Sequence, residues 1–100
     1  MSKKKQKEEE IEDNQLKILD SEISTLQDKK KFLRELCDNY NNEFVDCTKI
    51  AGQQSDFTKM RMILTKGNDL KRKAEDHEKD IAQIEETLGI LFEKKKKLKN

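Results

Sequence analysis

The sequence predicts an all-α fold: an antiparallel hairpin of two long helices with coiled-coil packing. Three observations predict it. Apolar residues recur in alternating steps of three and four, the spacing of a helical seam. Proline is absent and the only glycines are Gly52, Gly67 and Gly89, so little interrupts a helix. Charged residues make up 43% of the chain and apolar ones 32%. That is too little apolar surface for a globule of this length, but enough for long amphipathic helices.

The chain opens on a lysine-rich stretch, and residues 1–7 are expected to be a basic, disordered tail. The first helix is expected over 8–51. From Leu16 its heptad runs Leu16, Leu19, Ile23, Leu26, Lys30, Leu33, Cys37, Tyr40, Phe44, Cys47, Ala51. Lys30 is the one member of this set that is not a packing residue. The second helix is expected over 57–98, with its heptad on Met60, Ile63, Gly67, Leu70, Ala74, His77, Ile81, Ile84, Leu88, Leu91, Lys95 and Leu98. Extending the first run predicts position 58, whereas the second begins at 60. The mismatch falls on Gly52-Gln53-Gln54-Ser55-Asp56, which predicts a loop over 52–56. Gly52 is suited to end a helix in the left-handed conformation, and Ser55 or Asp56 to cap the next. Gly67-Asn68-Asp69 is a second turn signal and marks a potential break in the second helix.

A hairpin centred near residue 54 places position i opposite 108 − i. Tyr40 then faces Gly67, Leu33 faces Ala74, Cys37 faces Leu70, and Lys30 faces His77 and Glu78. Large side chains meet small ones, as interdigitating layers require. Lys30, His77 and Gly67 are therefore the expected register residues, since polar core positions disfavour wrong pairings.

The apolar arc is wider than a two-helix seam. Ile18, Phe32, Leu36 and Ile50 flank the stripe on the first helix, and Ile90 and Phe92 on the second. Exposed residues of this kind need a cover. The expectation is assembly into a four-helix bundle, either with further copies of the chain or with partner helices of other coiled-coil proteins. The hairpin resembles in architecture the small subunits of kinetochore, synaptonemal-complex, centrosomal or vesicle-tethering assemblies, a likeness that assigns no function.

Chemistry is expected to be absent. No phosphate-binding glycine loop, nucleophile elbow, zinc spacing or calcium loop occurs in the sequence. His77 is the only histidine and has no nucleophile or second ligand near it in sequence. The acidic clusters read as solvated helix faces paired with lysine. The chain is expected to be no enzyme and to need no metal or cofactor.

The charge pattern is uneven although the net charge is only +1. Segments 1–7 and 94–100 carry nine positive and no negative charges, and residues 8–93 carry 13 positive and 21 negative. In a hairpin, Lys3, Lys4, Lys5, Lys94, Lys95, Lys96 and Lys97 form one basic end. That end offers a weak site for an acidic polymer, such as a microtubule or a nucleic acid. Without a secretory leader or an apolar span, and with two unpaired cysteines ten residues apart, the expected location is cytoplasmic or nuclear. The expected function is that of a structural or adaptor subunit. A small helical chaperone resembling the tubulin cofactors, or an electrostatic binder acting through the lysine-rich end, is the alternative.

Overall fold

A computed structural model describes the backbone of residues 2–99 and the side chains of residues 11–98. The described residues form two helices, α1 (Ser2–Gly52) and α2 (Phe57–Lys99), which pack against each other as an antiparallel hairpin. α1 includes the lysine-rich segment that was expected to be a disordered tail. Lysine, glutamine and glutamate are good helix formers, and no glycine or turn residue separates them from the helix that follows. α2 runs unbroken through Gly67-Asn68-Asp69.

The reversal differs from expectation at Gly52. No glycine among the described residues has a positive φ. α1 instead tightens at its end, where the Gln53 N–H donates to the Ile50 carbonyl at 3.1 Å and the Gln54 N–H to the Ala51 carbonyl at 3.2 Å. Such three-residue bonds satisfy orphan carbonyls at a helix end without a left-handed residue. Asp56 starts α2. Its carboxylate accepts from the Thr58 N–H at 2.9 Å, and its own carbonyl accepts the first helical bond, from Met60 N–H at 3.0 Å. This is an N-cap.

Solvent exclusion follows the heptad. Each of the positions from Leu16 to Ala51 and from Met60 to Leu98 in the two runs is buried or half-buried. Outside these runs, only Leu36 and the loop residue Gln54 are withdrawn from solvent among residues 11–98.

The chain divides into two compact parts, residues 1–30 with 83–100, and residues 31–82. The first part buries Ile23, Ile84, Leu88 and Leu91. Among the described residues, ion pairs cross its seam: Lys95 Nζ lies 2.6 Å from Asp20 Oδ1, and Lys30 Nζ lies 3.1 Å from Glu85 Oε1. The second part buries Leu33, Cys37, Ala51, Leu70, Ala74 and Ile81. There the Cys37 thiol donates to the Ala74 carbonyl at 3.4 Å, and the rings of Tyr40 and His77 stack at 5.8 Å.

These contacts correct the register. Within each part, position i lies opposite roughly 114 − i, about one heptad from the sequence expectation. Tyr40 meets His77 instead of Gly67, Cys37 meets Ala74 instead of Leu70, and Lys30 takes Glu85 in place of His77 and Glu78. The reason lies at the turn. Phe57, Thr58 and Lys59 are exposed, while Gln54 and Met60 are both half-buried. The first turn of α2 thus lies beyond the last core layer, and the hairpin is centred near Phe57. A heptad repeat matches itself again after a slip of seven, so the core pattern fixes the faces of the helices but not the layer at which they meet.

Candidate interaction surface

In the first part, Ile11, Ile18, Ile90 and Phe92 are exposed, Ile18 by 58%. Ile11 and Ile18 are one heptad apart and share a face of α1. Ile18 forms the wall of an open groove of about 400 Å³, floored by Leu19 and Leu98 and edged by Gln15, Lys94 and Lys97. A second hollow in the same part, lined by Ser21, Glu22, Thr25, Leu26, Thr87 and Leu91, measures about 350 Å³. The Thr25 hydroxyl donates to the Ser21 carbonyl at 2.9 Å and the Thr87 hydroxyl to the Gln83 carbonyl at 3.0 Å. With their hydroxyls turned back to their own helices, these threonines need no outside hydrogen-bond partner.

The basic end is only partly a lysine fringe. Lys94, Lys96 and Lys97 are exposed, but Lys95 is half-buried at a seam position and held by Asp20. The side chains of Lys3, Lys4 and Lys5 lie outside the described residues.

In the second part, Phe32 is 60% exposed, with Val45, Ile50, Phe57, Met62 and Leu64 also open to solvent. Leu36 is half-buried. Val45 and Phe57 were not anticipated. Val45 stands alone on the far side of its helix from the widened stripe, and Phe57 falls in the gap between the two heptad runs, so periodicity flags neither. Leu16, Leu19, Leu26, Tyr40, Phe44 and Ile63 are half-buried rather than fully enclosed, as a two-helix seam permits.

The polar seam residues have ordinary structural partners. His77 stacks nearly parallel on Tyr40, with 10° between the ring planes. Lys71 and Lys73 place their ammonium groups 5.4 Å from the Phe44 ring centre and 5.9 Å from that of Tyr40. Cations over ring faces at this range are attracted by the aromatic quadrupole, and their alkyl stems cover the rings. Gly67 lies against Phe44 and Cys47: a Cβ there would stand 3.2 Å from the Cys47 Cβ and 3.4 Å from Phe44 Cδ2.

Cys37 and Cys47 are both free thiols. Burial pushes the Cys37 thiol above its ordinary pKa, and the nearby Glu78 and Asp38 carboxylates add to the shift. Less thiolate is present at a given pH, and the thiolate is the nucleophile. Cys37 should therefore alkylate far more slowly than the half-buried Cys47 at pH 8 in the native protein, with the difference abolished in denaturant. Mass spectrometry of iodoacetamide-treated peptides checks this, and equal native rates would contradict the burial of Cys37. The same shift gives a sign for stability. The protonated thiol is the form that the fold favours, so its contribution is full below the unfolded pKa and is lost as pH rises through the folded one.

Among the described residues, no group of three histidine, cysteine or acidic side chains is placed to hold a metal ion, and no helix is long and apolar enough to cross a membrane. The fold and surface define the chain as a coiled-coil helical hairpin with apolar side chains on its outer faces. No protein-family model, curated protein or solved structure matches it.

Proposed function

We propose that the chain is a non-enzymatic structural or adaptor subunit that joins protein chains by helix–helix packing. The observation that carries this reading is the set of large apolar side chains left in water after the seam is complete, Ile18 and Phe32 foremost. Such residues destabilise nothing when exposed singly, but rows of them mark association surfaces. A partner helix laid along the flank would remove them from water, and the charged residues beside them would select the partner. Two reduced thiols suit a reducing compartment, cytoplasmic or nuclear.

The test separates flank from seam. Phe32→Asp in the full chain should keep the wild-type helical circular dichroism and melting temperature, yet lose a coiled-coil partner that wild type retains on size exclusion. Unchanged association of Phe32→Asp and Ile18→Asp with every chain that wild type binds would defeat the reading. A chaperone would release its client and run as a monomer. An electrostatic binder would lose affinity steeply with salt, and would lose it again when residues 94–100 are removed.

A further inference from the structure

We infer that the groove in the first part, residues 1–30 with 83–100, takes α1 of a second copy of this chain, antiparallel to the α1 that forms the groove. This rests on the assembly reading above and names its partner. The argument begins with the groove itself. Taken with the second hollow, which lies one heptad further in, its floor repeats at seven residues on both helices, Leu19 and Leu26 on α1, Leu98 and Leu91 on α2. A helix with apolar residues at i and i+7 matches that repeat. Lys94 and Lys97 edge the outer hollow, which no carboxylate lines, while Glu22 edges the inner one. The occupant should therefore direct an acidic residue toward the lysines and keep its carboxylates away from Glu22.

The chain carries that helix itself. Ile11 and Ile18 are exposed on one face of α1, seven residues apart. Glu22 follows Ile18 by one turn on the same flank. Ile18 of the second copy set over Leu19 and Leu98 brings Ile11 over Leu26 and Leu91, and brings Glu22 to the level of Gln15 and Lys97. A twofold axis near Ile18 repeats each contact in reverse, so both grooves fill and both sets of isoleucines are covered at once. Such a self-complementary closure is what an isologous dimer requires, and it leaves no surface to propagate.

Light scattering and sedimentation on the full chain test this. Wild type should have about twice the 11.8 kDa mass of the chain. Ile18→Asp should be monomeric with unchanged helicity. Lys97→Glu and Glu22→Lys should each weaken the dimer about tenfold, and the two together should recover most of that loss, the mark of a direct pair. A wild-type chain that stays monomeric at about 100 µM, far above the Kd of a specific dimer, overturns the proposal. So does a dimer that is insensitive to Ile18→Asp, or one in which the charge reversals do not rescue each other. A monomeric result would leave the broader assembly reading to the Phe32→Asp test, which concerns a different part of the chain.

Discussion

Leu88→Asp should abolish the folded hairpin, whereas Ile90→Asp, two residues away, should leave it intact. Leu88 is 6% exposed, and Ile90 is 53% exposed. The neighbours of Leu88 one turn away on α2 include Ile84 and Leu91, both buried, and the seam cation nearest in register, Lys30, is already paired with Glu85, so a carboxylate there is set among apolar side chains. Truncating a buried leucine costs about 2–5 kcal/mol, and desolvating a carboxylate without a partner adds to that. A domain of this size holds about 5–15 kcal/mol in total, and a two-helix seam with many half-buried layers belongs at the low end of that range. Helical circular dichroism at 222 nm should therefore collapse in Leu88→Asp at room temperature. At Ile90, where the side chain already faces water, the change should stay within about 0.5 kcal/mol in a urea titration. Equal effects at the two positions would mean that the assigned face of α2 is wrong.

Gly67→Leu is the second large effect. Glycine inside a helix costs roughly 1 kcal/mol relative to alanine, so its presence in the middle of α2 calls for a reason. The reason is the close approach of Phe44 and Cys47, which already press on the space that a Cβ would fill. A leucine must displace the Phe44 ring or push α2 away from α1, at about 1–3 kcal/mol or more. Alanine needs shifts of only a few tenths of an ångström and regains helix propensity, so Gly67→Ala should come out near neutral. Phe44→Ala makes room, and the double variant Gly67→Leu with Phe44→Ala should be more stable than the two separate losses imply. Chemical denaturation of the four proteins reads this coupling; strictly additive losses would contradict the contact.

Much of this was legible in the residues. Strict three–four spacing identified the buried face of each helix, because a side chain's orientation on a helix is fixed by its number. The phase mismatch between the two heptad runs pointed to the segment from Gly52 to Asp56, and the helices are interrupted there, between Gly52 and Phe57. Asp56 caps α2 because its short carboxylate reaches forward to accept from the Thr58 N–H. What the spacing did not hold was the layer at which the helices meet. Expecting Gly67 to accept a large ring was sound, but the ring is that of Phe44, and Tyr40 stacks on His77. Both pairings satisfy the same large-against-small logic, and only the path of four loop residues separates them. Lys95 illustrates the same limit. Its sequence neighbours make it look like part of a basic fringe, whereas its heptad position and Asp20 draw it into the seam. The groove over Leu19 and Leu98 depends on that layer too, so it became visible only once the register was known.

Register therefore decides which residues form the seam, which form the groove and which remain for a partner, and a cross-link tests it most directly. In a Cys37→Ser background, the native Cys47 can be paired with Gly67→Cys or, separately, with Met60→Cys, both seam positions of α2. A Cβ added at position 67 would stand 3.2 Å from that of Cys47, a few tenths of an ångström inside the range of about 3.5–4.5 Å spanned by a disulfide. Mild oxidation of dilute protein should give an intramolecular 47–67 disulfide in high yield, identified by peptide mass spectrometry, and little 47–60. A dominant 47–60 bond would restore the hairpin centred near residue 54 and contradict the register described here, and purely intermolecular bonds would contradict the hairpin itself.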